Sequence, residues 1–437
     1  MTAAPAVRVV DGDPVVSCER RRLASGLDVV VHPDPTTPLC AVNVWYRVGS
    51  SDERPEQSGH AHLFEHLFKN SQHLAGKKHY EILRRAGAVD SNASTGADRT
   101  AFHQILPAEQ LDLALWIESD RMGYLLPGLD DARVAQQQAV VLAERRQRYE
   151  NVPYGADRFA VARALYPEGH PHRHLTIGRP ETIAAATRDD LATWYRTWFV
   201  PANATLVVAG NVDADDAWAR VERWFGGFPA STRPPRPVPV PASIGASSRT
   251  TVDDPFASIR RLHLAWHGVA AFGGGDAELD VLASVLGAPG TGRLWRALVY
   301  ERPWAQRVSA WHSATRLGGE LHVVVDLRAE AEVDAVRDVV DEVVAAARAG
   351  DPATVDARAV ARVCTRRDAA FLWRLDGLGR RTAALQRYLL YLDDPGGLAV
   401  DLARYRAVTL DGVIAAARRW LAPDARVEVE TRALRAA

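Results

Sequence analysis

A proline-rich segment near the middle of the chain constrains the fold more than any other feature. The segment carries six prolines, Pro229, Pro234, Pro235, Pro237, Pro239 and Pro241. Proline fixes the backbone dihedral φ and removes an amide donor, so such a run favours an extended, semi-rigid linker over a packed helix or strand. A chain of 437 residues is also too long for one hydrophobic core. We therefore expect two domains, residues 1–228 and 247–437, joined by a linker at 229–246.

The two parts of the chain repeat a similar order of predicted elements. In the first part, apolar strand patterns at Cys40–Val48 and Asn203–Gly210 alternate with helical patterns, one of which runs from Asp130 to about Tyr149. In the second part, strand patterns at Ile259–Trp266 and Glu320–Leu327 alternate with helical ones. The matching order indicates duplication and an α+β protein built from two homologous α/β domains.

The bulk composition excludes several classes of function. Apolar residues make up 47% of the chain and charged residues 24%, and the formal net charge is -1, so no global field would attract nucleic acid or a membrane surface. The three cysteines, Cys18, Cys40 and Cys364, are widely spaced and do not form a disulfide framework or a cysteine zinc site. The N-terminal residues lack the apolar segment of a secretory signal, and we expect a cytoplasmic protein with no membrane or nucleic-acid partner.

A histidine pair in the first domain is the candidate for chemistry. The pattern predicts a helix that begins after Ser58 and runs to about Asn70. On such a helix His62 and His66 lie one turn apart on the same face, with Glu65 beside them. Two imidazoles and a carboxylate that converge in this way can form a catalytic zinc site with a base next to the zinc-bound water.

Two alternatives to a metal site compete for this motif. A chance H-x-x-E-H in a chain with this histidine and glutamate content is a roughly one-in-fifty event. The other alternative is a surface helix with two solvated histidines. The apolar residues around the histidines favour burial, which would leave unpaired imidazoles costly unless a metal binds them; these neighbours are Leu63, Phe64, Leu67 and Phe68.

A zinc site of this kind needs a third protein ligand, and Glu144 is the best candidate. It lies in the second long helical pattern, where a carboxylate can complete a set of two histidines and one glutamate. Taken alone, Glu144 beside Arg145 and Arg146 would be read as a solvated or ion-paired residue.

Together these residues resemble the M16 (pitrilysin-like) family of zinc peptidases. The inverted motif His62-Leu-Phe-Glu65-His66 and the later Glu144 in Val-Val-Leu-Ala-Glu-Arg-Arg carry the resemblance. It extends to the segments around Asn92 and around Glu150-Asn-Val-Pro-Tyr-Gly, and covers nearly the whole chain. The resemblance implies a clamshell of two α/β domains, each with a mixed, largely antiparallel sheet flanked by helices, that face each other across a peptide chamber.

The resemblance also implies a role for each site residue. His62, His66 and Glu144 would hold one Zn²⁺ per chain, and Glu65 would act as the general base on the zinc-bound water. A strand that contains Asn92, Ala93 and Thr95 would bind a peptide substrate by adding it as a further β-strand. These expectations describe a metalloendopeptidase that hydrolyses short or unfolded peptides.

Two positions depart from the family pattern. Relatives commonly carry a second carboxylate seven residues before the zinc glutamate, where this chain has Gln137. Active relatives also carry an arginine and a tyrosine seven residues apart in the second domain, and the alignment places Val299 and Gln306 there. Neither of these side chains can supply a cation or a phenol.

The missing pair leads to a prediction about partners. We expect this chain to be the zinc-bearing subunit of a heterodimer whose homologous partner lacks H-x-x-E-H and supplies the arginine and the tyrosine. A homodimer is the less favoured arrangement. The alternative of a different class is a non-catalytic scaffold or assembly subunit, and the intact Glu65 argues against it because a scaffold has no need of a base beside two metal ligands.

Overall fold

The computed structural model describes residues 7–10, 13–68, 71–74, 79–243 and 246–434. Its strands are β1 Val7–Val10, β2 Asp13–Val16, β3 Glu19–Arg22, β4 Asp28–Pro33, β5 Leu39–Tyr46, β6 Asp90–Thr95, β7 Thr100–Pro107, β8 Ala204–Gly210, β9 Ser248–Asp254, β10 Arg261–Gly268, β11 Ala305–Ala314, β12 Gly319–Leu327 and β13 Val427–Ala433. Its helices are α1 His60–Leu67, α2 His79–Arg85, α3 Leu111–Tyr124, α4 Asp131–Arg145, α5 Gly155–Leu165, α6 Pro180–Ala185, α7 Arg188–Trp198, α8 Ala214–Phe225, α9 Asp276–Gly287, α10 Arg293–Trp295, α11 Val333–Ala349, α12 Ala357–Asp376, α13 Leu378–Leu392, α14 Leu398–Arg406 and α15 Leu410–Trp420.

The first compact unit is built on a six-stranded mixed sheet. Its strand order is β3-β4-β8-β5-β7-β6, and only β4 and β8 pair in parallel. The central strands β5 and β8 are buried along nearly their whole length because both faces of the sheet are covered, by α3 on one face and by α13 on the other. Strand β6 lies at the edge of this sheet.

The second unit repeats the same plan with a five-stranded sheet. Its order is β11-β12-β10-β13-β9, with β13 and β9 as the one parallel pair. If the strands of each unit are counted along the chain from β4 and from β9, both sheets have the order 1-5-2-4-3, with strands 1 and 5 parallel. The α+β fold with two similar mixed sheets, expected from the repeated pattern, is confirmed.

The two compact units interleave along the sequence. Unit 1 contains residues 1–142, 176–238 and 370–401, and unit 2 contains 143–175, 239–369 and 402–437. Thus α5 packs on β9, β10 and β13 of unit 2, while α13 packs on β5 and β8 of unit 1. This division into compact units differs from the two contiguous domains predicted at 1–228 and 247–437. Those domain boundaries stay a prediction.

The proline-rich segment forms no regular structure where the structure describes it. Residues 229–243 have neither helix nor strand, and the division between the units falls within them, between Val238 and Pro239. Residues 244–245 of the expected linker and the N-terminal residues 1–6 lie outside the described part of the chain. Among the described helices, none combines the length and the apolar character needed to cross a bilayer.

Candidate metal centre

Helix α1 carries the histidine pair, and a carboxyl group from outside the helix caps its first turn. The N-cap residue is Gly59, not the expected Ser58, and it supplies no side chain. Glu53 takes that role: its carboxyl oxygens accept hydrogen bonds from the backbone N–H groups of Gly59, at 2.9 Å, and Ala61, at 2.8 Å. Complete burial raises the pKa of the Glu53 carboxyl to about 8, even though the two N–H donors lower it.

A close contact between two backbone segments fixes the start of α1. Gly59 has φ +95° and Gly178 has φ +80°, both in the left-handed region that favours glycine. A Cβ atom on Gly178 would lie 2.4 Å from the Cα of Gly59, so a side chain at either position would push the loop and the helix apart. The helix therefore begins at a defined place, and His62 and His66 follow within its first two turns.

The histidine pair lies on one buried face of α1, as the four-residue spacing predicts. His62 is 9% exposed and His66 is 7% exposed. Their ring centroids are 4.8 Å apart and the ring planes meet at 77°. The helix ends at Leu67, and the last residues of the expected helix, 69–70, lie outside the described part of the chain. The burial of α1 excludes the solvated surface helix.

Glu65 lies between the histidine pair and the edge strand β6. Its Oε2 atom is 3.3 Å from Nδ1 of His62 and accepts a hydrogen bond of 2.7 Å from the Thr95 hydroxyl. Burial raises the pKa of the Glu65 carboxyl, but the hydrogen bonds from His62 and Thr95 and the charge of His62 outweigh burial and hold the pKa below its ordinary value. A carboxylate that stays ionised at neutral pH can accept a proton.

Glu144 completes the cluster. It is the second-to-last residue of α4, the helix Asp131–Arg145. One ligand atom each from His62, His66 and Glu144 lie within 4.8 Å of one another. Arg148, one turn later in the single π-helical turn that follows α4, contacts the Glu144 carboxylate at 2.8 Å. Glu144 is therefore ion-paired, as expected for this residue taken alone, and it is also a member of the cluster.

The donor set fits a zinc ion. Two imidazole nitrogens and one carboxylate oxygen are the ligands of many catalytic zinc sites, in which a fourth position remains for water or substrate. The spread of the three donor atoms is compatible with a shared ion at bonds of about 2.0–2.2 Å after small side-chain rotations. Metal binding by His62, His66 and Glu144 stays a prediction, now with a matching geometry.

The expected substrate residues lie on β6, but they do not share one face. Asn92 is exposed, while Ala93 and Thr95 are half-buried, as the alternation of a strand requires. The Thr95 side chain turns toward Glu65 and donates to it, which is a role beyond the expected substrate contact. The free edge of β6 is available for a further strand in unit 1, and peptide binding there stays a prediction.

The sequence patterns did not identify Glu53 as the residue that caps α1. The available signal for Glu53 was an acidic residue in a loop before a helix whose N-cap position is glycine.

The two second-domain positions that depart from the family pattern are both described by the structure. Val299 lies half-buried in a π-helical turn over Arg296–Glu301, and Gln306 is exposed near the start of β11. Neither of these two positions therefore carries an arginine or a tyrosine.

Comparison with known proteins identifies the family. The model described as insulinase (peptidase family M16) matches residues 28–165, and the model described as peptidase M16 inactive domain matches residues 185–362. Together they cover well over half of the chain. The chain belongs to the M16 peptidase family. The first match holds all four residues of the candidate metal centre, and the second holds most of the unit 2 sheet.

Similar proteins within the family include bacterial zinc proteases. The chain is 31% identical to the zinc protease PqqE of Helicobacter pylori over 275 residues, which are 61% of this chain and 60% of that protein. It is 25% identical to the uncharacterized zinc protease YmxG of Bacillus subtilis over 309 residues, 70% of this chain and 72% of that protein. The match to the first relative thus spans less than two thirds of its length.

Solved structures of the family share the fold. A protease from Helicobacter pylori superposes with a TM-score of 0.87 at 22% identity and covers 96% of this chain and 100% of that chain. The periplasmic protease PqqL from Escherichia coli superposes with a TM-score of 0.77 at 18% identity, over 95% of this chain and 47% of that chain. At these identities the likeness establishes the two-domain fold, and the activity rests on the site.

Proposed function

We propose that this chain is the zinc-bearing subunit of an endopeptidase that hydrolyses short or unfolded peptides. The observation that carries the proposal is the convergence of His62, His66 and Glu144 on one point, with Glu65 held beside them. Zinc proteases among the similar proteins support the same metal. The expected cytoplasmic location stays a prediction, since one structural relative is a periplasmic protease.

Each residue of the centre has a definite task in this proposal. A zinc ion held by His62, His66 and Glu144 would polarise a peptide carbonyl and acidify a water molecule. Glu65 accepts a proton from the attacking water and returns it to the leaving amine. Thr95 keeps the Glu65 carboxylate turned toward the histidine pair through its hydrogen bond of 2.7 Å.

Strand β6 is the proposed peptide-binding element. It is the last strand of its sheet, so its outer backbone groups can pair with an extended peptide. Backbone pairing along Asn92, Ala93 and Thr95 does not depend on the side chains of the substrate. We therefore expect tolerance for many peptide sequences, with folded proteins excluded because they do not offer a free extended segment.

The partner is a further part of the proposal. Val299 and Gln306 stand where active relatives carry the arginine and tyrosine that bind substrate and steady the tetrahedral intermediate. A homologous subunit with that pair and without H-x-x-E-H would complete the enzyme. Full turnover of unstructured peptides by the purified chain alone would overturn this partner requirement.

The sharpest test compares Glu65→Gln with a matched control, Glu56→Gln, in the presence of the partner. Glu56 is an exposed residue of the turn before α1 and pairs with the exposed Arg54, so its substitution reports on the loss of a surface charge. We expect Glu65→Gln to keep the zinc content and to lower turnover of a fluorogenic unstructured peptide by at least about 100-fold. Unchanged turnover in Glu65→Gln would contradict the proposal.

The match of residues 185–362 to a model for an inactive domain favours a second candidate, a non-catalytic scaffold subunit. The two candidates differ in metal content. A scaffold that has lost its chemistry would bind no zinc at the histidine pair, and its complex would show no zinc-dependent peptidase activity.

A further inference from the structure

Helix α9 of unit 2 occupies the topological place that α1 occupies in unit 1. Each helix lies between the second and third strands of its sheet, counted from β4 and from β9. Each begins after a glycine in the left-handed region, Gly59 with φ +95° and Gly275 with φ +97°. The duplicated fold thus presents two equivalent helices, and α9 carries its own pair of ionisable residues four positions apart, Asp276 and Asp280.

A histidine from the edge strand β11 joins these two carboxylates. Nδ1 of His312 lies 3.4 Å from Oδ1 of Asp276 and 3.4 Å from Oδ1 of Asp280. The three side chains are 1%, 5% and 16% exposed, in the order His312, Asp276 and Asp280. One ligand atom from each lies within 4.8 Å of the others, the same limit that the cluster of His62, His66 and Glu144 meets.

The two distances of 3.4 Å between Nδ1 of His312 and the aspartate oxygens are long for hydrogen bonds and suit ligands of a shared ion better. A typical N–H···O bond has its heavy atoms about 2.9–3.0 Å apart. Within the described residues, neither ring nitrogen of His312 has a hydrogen-bond partner of standard geometry. Tetrahedral ligands at bond lengths of about 2.1 Å are spaced by about 3.4 Å from each other. Nδ1 of the buried imidazole is therefore equidistant from two carboxylate oxygens, at a spacing that suits three ligands of one ion.

The sheet makes room for this imidazole with two glycines. Gly268 of β10 and Gly319 of β12 face each other across the ladder. A Cβ atom on Gly268 would lie 2.9 Å from Nε2 of His312, and one on Gly319 would lie 2.6 Å from it. Any larger residue at these two positions would displace the ring, so the local sequence admits the buried histidine.

The outer carboxylate oxygens are already held, which fixes the direction of the inner ones. Oδ2 of Asp276 accepts from the backbone N–H of Phe272, at 2.8 Å, and from Arg404. Oδ2 of Asp280 accepts from the Tyr405 hydroxyl and lies 3.2 Å from Arg367. Partners of this kind orient metal ligands and keep them ionised. Both Oδ1 atoms point toward His312.

We propose that Asp276, Asp280 and His312 form a second divalent-cation site, with zinc as the preferred ion. Three protein ligands of the carboxylate and imidazole type suit zinc, and manganese is the main competitor. The site ties α9 to the edge strand β11, and the helix position that corresponds to Glu65 is Leu279, which cannot act as a base. Its role is structural: the ion holds the exposed edge of the unit 2 sheet against its helix.

The test uses a background in which the first site is removed, His62→Ala with His66→Ala. After incubation with excess zinc and gel filtration, this protein is expected to retain about one zinc per chain by mass spectrometry of the metal. Adding Asp280→Asn should remove that ion. The control is Asp341→Asn, a carboxylate of the same unit that is ion-paired with Arg426 and is 40% exposed; this variant should keep the ion.

Three outcomes would overturn the proposal. The background protein could bind neither zinc nor manganese, which would leave the cluster as a network of ion pairs. Asp280→Asn could keep the ion, or Asp341→Asn could lose it equally, and either result would place the metal elsewhere. The melting temperature of the background protein gives a second measurement that needs no substitution in unit 2. A chelator should lower this melting temperature. Loss of the peptidase activity proposed for the first centre affects none of these results.

Discussion

Helices α1 and α9 occupy the same place in two sheets of the same strand order, yet their side chains differ in chemistry. Helix α1 presents two imidazoles with Glu65 beside them, whereas α9 presents two carboxylates whose outer oxygens are held by arginine and tyrosine. The scaffold decides where a helix presents residues i and i+4. We propose that the identity of those residues, and the presence of a base next to them, distinguish a catalytic centre from a structural one.

The largest expected effect separates the two helices by activity. Substituting His66→Ala removes a proposed ligand of the first metal centre, so we expect turnover in the presence of the partner to fall by at least about 1000-fold, together with the loss of one zinc ion per chain. The control is His73→Gln, a partly exposed histidine whose replacement can still donate to Asp120. Equal activity of the two variants would break the assignment of catalysis to α1.

A second prediction concerns unit 2 and its dependence on pH. Burial raises the pKa of the Glu320 carboxyl. The hydrogen bond from His322 and the charge of His322 outweigh burial and lower the pKa of Glu320 to about 2. The folded state thus binds the proton less readily than the unfolded chain, so Glu320 contributes stability above pH 4.5 that is lost as the pH falls toward 2.

The measurement is urea unfolding of wild type and Glu320→Gln between pH 2 and pH 6. We expect the variant to be less stable by about 2 kcal/mol at pH 6, and the difference to shrink toward pH 2. The exposed control Glu342→Gln should show neither effect. A difference that does not change with pH would show that the pKa of Glu320 is not lowered in the folded state.

The third prediction concerns the alignment of Glu65. Replacing Thr95 with valine keeps the shape of the side chain and removes the donor to Glu65, so turnover should fall by about 10-fold with zinc content unchanged. Ser94→Ala serves as the control, since Ser94 is the residue before Thr95 on β6 and accepts a hydrogen bond from Arg99. If both variants lose activity equally, β6 acts through its backbone shape and not through Thr95.

The smallest expected effect concerns how α1 begins. At pH 6 the Glu53 carboxyl, with its pKa raised to about 8, accepts hydrogen bonds from two backbone N–H groups. In Glu53→Gln only the amide oxygen can accept, so unfolding free energy should fall by about 1 kcal/mol. The matched control Glu56→Gln should be neutral. A stable Glu53→Gln variant would leave the Gly59 and Gly178 contact as the main determinant of the helix start.

Much of the fold follows from local patterns in the sequence. The apolar runs of β5 and β8 predict buried strands, and the spacing of His62 and His66 predicts one helix face, because strand and helix periods act over a few residues. The cap by Glu53 in place of Ser58 was not predictable, since it depends on the path of the loop before α1. The interleaving of α5 and α13 between the units also depends on tertiary packing that no local pattern records.

The two candidate metal clusters differ in how visible they are in the sequence. The first has two of its proposed ligands and its proposed base within five residues, His62 to His66, and this compact motif is distinctive. The second combines Asp276 and Asp280 with His312, which follows after an intervening helix and a π-helical turn. Aspartates four residues apart are common on exposed helices, so only the structure brings them to a buried histidine.

The most direct measurement of the central claim is an anomalous difference map at the zinc absorption edge, from crystals of the wild-type chain grown with zinc. The account predicts a strong peak within about 2.2 Å of His62, His66 and Glu144 after refinement, with Glu65 outside bonding distance. The absence of a peak at these three residues, in crystals where zinc is present in solution, would contradict it.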